Sequence, residues 1–107
     1  MKPATEILLS AAFALTPEEN WTQHYLGRNA DGCFVEPNAT GAVSWCVLGA
    51  LDAAGGRSEA IKPLHEAIGA PRHEFGVMAA IAGFNNTHTH AEVLAALYKA
   101  AEIAEGQ

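Results

Sequence analysis

At 107 residues, the chain has the size of one domain and is too short for two independent cores. Half of its residues are apolar and 17% are charged, which excludes intrinsic disorder and leaves no need for metal or disulfide staples. Asp and Glu total 12 against 6 Lys and Arg, a net charge of −6; no basic cluster exists, so the footprint of a nucleic-acid-binding surface is missing.

Alanine dominates the apolar set and aromatics are few, which favours helices packed closely through small residues. The expected fold is all-α: a compact irregular bundle of about five to six helices, with a small hairpin near residues 28–36. No apolar run reaches the roughly 18 to 20 residues that span a bilayer, so no membrane partner is expected. The run Ile7–Leu15 reads as a core helix, because it lacks the flanks of a signal peptide. Cys33 and Cys46 form no C-x-x-C pair and are too few for a secreted disulfide framework, which points to a reducing cytoplasm.

In chain order, Ala4, Ile7, Leu8, Ala11 and Leu15 recur at helical spacing, with Glu6 and Ser10 on the other side, and predict a first helix. Thr16-Pro17-Glu18-Glu19 reads as the start of a short second helix with Thr16 as N-cap. That helix carries Trp21 and Tyr25 at i, i+4 and ends near Gly27. The stretch from Arg28 to Asn38 is irregular: Asp31-Gly32 suits a tight turn and Cys33-Phe34-Val35 a short strand.

From Thr40 to Ala54 the face Val43, Cys46, Val47, Ala50, Leu51 predicts the central helix, closed by Gly55-Gly56. Gly49 lowers helix propensity inside it and implies a second backbone passing close by. Ile61, Leu64, His65 and Ile68 share one face of a further helix, and Pro63 implies either a late start near Lys62 or a kink. Pro71 suits the first turn of a helix running to Ala82, with Phe75, Met78, Ala79 and Ala82 inward and Gly83 closing it. A polar loop, Asn85 to His88, follows. In the last helix Thr89 and Glu92 form a capping box ahead of the stripe Val93, Leu94, Leu97, Ala101, Ala104.

Trp21-Thr22-Gln23, Arg28-Asn29-Ala30-Asp31-Gly32, Trp45-Cys46-Val47-Leu48-Gly49-Ala50-Leu51 and Phe84-Asn85-Asn86 ahead of Glu92-Val93-Leu94 together resemble a family of short bacterial and phage-type proteins known only as a domain of unknown function. The resemblance covers roughly residues 5 to 104 and is most specific at Trp-Cys-x-x-Gly-Ala-Leu. It implies a helical domain in a bacterial or phage cytoplasm and no transferable activity. The family's late motif reads Trp-Asn-Asp, whereas Phe84-Asn85-Asn86 lacks the carboxylate, so no chemistry of an aspartate carries over.

Two kinds of site can be drawn from the residue types. The catalytic reading uses Cys46 as nucleophile, His90 or His88 as base and Asn86 or Asn85 as orienter. It requires Cys46 to lie exposed at the beginning of its helix, as it would with Ser44 as N-cap; inside a helix begun at Thr40, Cys46 is an inert core residue. The binding reading uses Trp21, Gln23, Trp45 and Asp52, with the indoles as anchors of a protein-binding patch or the walls of a small-ligand pocket. Although His88-Thr89-His90 could join His24, His65 or His73, no Cys, Asp or Glu at ligand spacing accompanies it, so neither metal nor other cofactor is expected.

Gly55-Gly56 has no phosphate-loop ending, and no carboxylate pair is set for acid/base work. The leading expectation is a non-enzymatic, phage-type modulator that binds another protein with a basic surface, a homodimer being compatible. A cysteine-dependent hydrolase or transferase is the alternative, and a small-ligand-binding protein the third reading.

Overall fold

The computed structural model describes residues 1–71 and 73–107. Five α-helices are present among the described residues: α1 (Pro3–Leu15), α2 (Val47–Ala53), α3 (Ile61–Ile68), α4 (Val77–Thr87) and α5 (His90–Gly106). A two-stranded antiparallel sheet pairs β1 (Gly27–Arg28) with β2 (Ser44–Trp45), Gly27 opposite Trp45 and Arg28 opposite Ser44. The domain is thus mostly helical without being purely all-α. Its radius of gyration, 12.6 Å, matches the roughly 13 Å expected of a compact chain this long.

The helices α1 and α5 lie side by side in opposite directions: Thr5 Oγ1 donates to Glu105 Oε2 at 2.8 Å at one end, and His90 Nε2 donates to the Leu15 carbonyl at 2.6 Å at the other. Leu8, Ala11, Ala12 and Leu15 on α1 and Val93, Leu97, Ala100, Ala101 and Ala104 on α5 form one core with α2, Leu64 and Ile81. The small side chains let the helix backbones approach closely, and the capping box of Thr89 and Glu92 starts α5 as the sequence predicts. Accepting the Thr89 backbone N–H holds the Glu92 carboxyl below its ordinary pKa.

Three segments depart from expectation, each because tertiary pairing outweighs local propensity. Thr16 does not open a second helix. Its hydroxyl donates to the Ala12 carbonyl, only a single 3-10 turn, Glu18–Asn20, follows, and Trp21 is extended and bridges Trp45. Tyr25 and Gly27 are therefore not helical, and Gly27 is a strand residue rather than a C-cap.

The central helix begins at Val47 rather than Thr40, because residues 43–46 bond across to β1 and the segment just before it: Val43 N–H donates to Arg28 O at 2.8 Å and Cys46 N–H to Tyr25 O at 3.3 Å. Val43 is exposed instead of lying on the helix face. The hairpin survives as a bridge between Arg28 and Phe34, turned by Gly32 N–H donating to Asn29 O. A miniature sheet results, with Phe34, β1, β2 and Trp21 side by side.

The helix expected over 71–82 is displaced to Val77–Thr87; position 72 lies outside the described residues. Gly76, at φ 102°, is in a conformation that stops a helix from passing through it. The inward face changes with the shift: Phe75 and Met78 are exposed, while Ala80, Ile81 and Asn85 are buried. Asn85, Asn86 and Thr87 form the last turn of α4 rather than a loop.

Candidate functional site

The segments that carry the motifs meet at one junction, organised by Asn85. This side chain is fully buried and fully used. Its Oδ1 accepts from Trp21 Nε1–H at 2.8 Å and Val47 N–H at 3.0 Å. Its Nδ2 donates to Thr22 O at 3.1 Å and Asn86 Oδ1 at 3.3 Å. Two acceptor and two donor positions are all that a carboxamide has, and two donors on one side with two acceptors on the other fix its orientation. Gln23 Nε2 donates to Asn85 O, and His24 N–H donates to Asn86 Oδ1 at 2.8 Å. His24 is held at φ 74°, a left-handed conformation that costs a non-glycine residue about 1 kcal/mol.

Cys46 sits at this junction in a position that neither sequence alternative describes. It is itself the N-cap of α2, with Sγ accepting from Gly49 N–H at 3.5 Å, and it is 7% exposed. Thiolate at a helix start would be favoured by the terminal dipole, yet burial outweighs the backbone donors and pushes the thiol pKa up. No histidine hydrogen-bonds Cys46 among the described residues. His90 is turned to Leu15 O and lies against Trp21 with ring centroids 5.7 Å apart. His88 stacks on Phe84 at 3.9 Å, with Nδ1 2.9 Å from the Phe84 carbonyl. Cys33 is exposed.

Of the residues singled out for binding, Trp21 and Gln23 are bonded into the Asn85 junction. Trp45 lies beside them, half-buried, with Nε1–H donated to Pro37 O at 2.9 Å. Asp52 is elsewhere: near the far end of α2, it holds the Arg57 guanidinium, Nε to Oδ1 at 2.8 Å, across the Gly55-Gly56 turn. Gly49 is explained by the Leu26 backbone, whose carbonyl oxygen would lie 1.8 Å from any Cβ placed there. The junction leaves a cleft of about 100 Å³ bordered by His24, Tyr25, Cys46 and Asn86, well below the 300 Å³ or so at which small-molecule sites begin.

A larger concavity lies on the outer seam between α1 and α5, at residues the sequence reading passed over. It is a groove of about 450 Å³ walled by Met1, Leu9, Tyr98 and Ala101, with Glu102 and Glu105 at its border. Phe13, one turn beyond Leu9, is 79% exposed, and Tyr98 is 48% exposed. The signal was available: Leu9 and Phe13 are large apolar residues at i, i+4 outside the buried stripe of α1, where polar residues are expected.

No helix among the described residues is long and apolar enough to cross a membrane, and no three His, Cys, Asp or Glu side chains among them are grouped to hold a metal ion. Neither the curated proteins nor the solved structures give a match to this chain. A family model does match, over residues 1–103, nearly the whole length, and the chain accordingly belongs to that family of unknown function, DUF6197.

Proposed function

We propose that this domain is a non-enzymatic interaction protein that binds another protein through the α1–α5 seam. The observation that carries the reading is the pair of exposed aromatics on two antiparallel helices, Phe13 and Tyr98, 79% and 48% in solvent, each one turn from a half-buried leucine, Leu9 and Leu94. Large exposed aromatics beside a preformed groove are the usual anchors of protein interfaces. The junction supports the same reading from the other side, since its Trp, Gln and Asn groups are bonded to one another and its thiol is held protonated by burial. The free thiols, Cys33 in solvent, support a reducing compartment, and the motif resemblance supports a bacterial or phage cytoplasm, where such a domain would act as a modulator of a host component.

The test is site-specific photocrosslinking in cells of the source organism. A benzophenone side chain replaces Phe13, Tyr98 or, as a control on a different face, the exposed Lys62 of α3. Discrete adducts to one protein at positions 13 and 98, absent at 62, identified by mass spectrometry and reproduced with purified components, are the expected result. Adducts that are absent, or equally frequent at position 62, reject the reading.

A further inference from the structure

We infer that Arg28, on the small sheet, binds a carboxylate carried next to an aromatic ring, at a site separate from the α1–α5 seam. The run Arg28-Asn29-Ala30-Asp31-Gly32 is a motif that the Asn85 junction does not absorb. The turn uses two of its members: Asn29 Oδ1 accepts from Asp31 N–H and Cys33 N–H, both at 3.0 Å, and Gly32 supplies a φ of 81°. Arg28 is left over. Its backbone pairs in β1, but its guanidinium bonds nothing among the described residues, where Arg57 with Asp52 is the only ion pair.

The guanidinium is nonetheless held in place. Its carbon lies 4.2 Å from the centre of the Tyr25 ring, so one face of the cation rests on an aromatic. Nε is shut from water without a partner, and part of the charge has therefore lost its solvent with nothing in exchange. The two Nη nitrogens stay open, and side by side they match the two oxygens of a carboxylate. Phe34 is the neighbour across the strand. The bonds from Asn29 N–H to Cys33 O and from Val35 N–H to Gly27 O flank the Arg28–Phe34 bridge, which makes it a non-hydrogen-bonded pair, the kind whose side chains lie closest. With Phe34 52% exposed, an aromatic surface is available to the body of a ligand whose oxyanion sits on Arg28.

Charge narrows that oxyanion to a monoanion. Arg28 is the only Lys or Arg between Lys2 and Arg57, and Asp31 and Glu36 belong to the same loop. A phosphate dianion would meet one cation and two carboxylates, whereas a carboxylate is matched by the single guanidinium. An aromatic acid supplies both halves, either as a small molecule or as the C-terminal phenylalanine of another chain.

The experiment titrates the full chain with phenylacetate, phenylacetamide, acetate, phenyl phosphate and an acetylated Ala-Ala-Phe tripeptide with a free C-terminus, reading backbone amide and arginine Nε–H shifts by NMR. Phenylacetate is expected to shift Arg28 Nε–H and the amides of Tyr25 and Phe34, and to leave Nε–H of Arg57, which is bonded to Asp52, unmoved. It should bind about tenfold more tightly than phenylacetamide or acetate. Arg28→Lys, which keeps the charge and loses the fork, and Arg28→Gln should each weaken it about tenfold. Phe34→Ser should lower phenylacetate to the level of acetate, with an unchanged circular dichroism spectrum because the ring is exposed. If the Arg28 variants fold poorly, the ligand series on the native chain and Phe34→Ser decide.

Equal binding of phenylacetamide, tighter binding of phenyl phosphate, shifts confined to other elements, undiminished binding to folded Arg28→Gln, or no binding of either phenylacetate or the tripeptide would each overturn the inference. An Arg28-dependent tripeptide that binds more tightly than phenylacetate assigns the carboxylate to a chain terminus, and one that binds equally or less tightly assigns it to a small acid; both uphold the site. Crosslinks at positions 13 and 98 do not depend on Arg28, so loss of either reading leaves the other standing.

Discussion

The Asn85 junction and the α1–α5 seam are built from opposite materials. At the junction three parts of the chain converge, the irregular segment at Trp21–Thr22, the start of α2 and the last turn of α4, and a buried carboxamide bonds the indole of Trp21, the amide of Val47 and the carbonyl of Thr22. At the seam, two regular helices meet through apolar side chains, and the outer face is left without a partner inside the molecule. The residues most conspicuous in the sequence, the tryptophans and the Asn pair, thus hold the fold together, while the surface available to another molecule is made of ordinary Leu, Phe and Tyr. Unusual residues mark places where the chain needs special help, and that help is as often structural as functional.

The comparison breaks most severely if the junction tolerates loss of its centre. Asn85→Ala orphans the indole N–H of Trp21, the amide of Val47 and the carbonyl of Thr22 together, and should cost about 4 kcal/mol in urea unfolding, enough to threaten a small domain. A loss under about 1 kcal/mol would mean that water replaces the carboxamide and that the junction is open. Gly49→Ala comes next. Its methyl would overlap Leu26 O at 1.8 Å, and because both partners are backbone no rotamer relieves it, so a loss of about 3 kcal/mol is expected. An unchanged melting temperature would show that the segment before β1 can move off α2.

The thiol sharpens the picture through pH. Burial raises the Cys46 pKa in the folded protein, so above the ordinary thiol pKa of about 8.5 the unfolded chain sheds a proton that the folded one keeps. Stability should therefore fall as pH rises past that value. Cys46→Ala should flatten the fall, and Cys46 should resist a thiol reagent that modifies exposed Cys33. Rapid modification of Cys46 at neutral pH would reopen the catalytic alternative. At the small end, Phe13→Ser and Tyr98→Ser should each change stability by no more than about 0.5 kcal/mol. A loss of several times that would make the seam part of the core and remove the contrast between the two regions.

Much of the architecture was written locally. The amphipathic stripe of α1, the Gly55-Gly56 stop, the late start of α3 at Ile61 with Pro63 in its first turn and the Thr89–Glu92 box each depend on residues within a turn or two of one another, and local interactions act whatever the rest of the chain does. Gly49 announced a close backbone from its cost alone, though not that the backbone was Leu26. What only the tertiary structure decided were the segments whose bonds go far in sequence. Residues 43–46 lie in a helical pattern, yet they extend because residues 25–28 offer their amides partners. Cys46 becomes a cap because the helix is cut at that point. Asn85 turns inward because Trp21, Thr22 and Val47, 38 to 64 residues away along the chain, arrive around it. A hydrogen bond between distant residues leaves no periodicity in the sequence, so the junction could be read only after folding, just as an exposed Phe13 acquires meaning only when α5 is laid beside it.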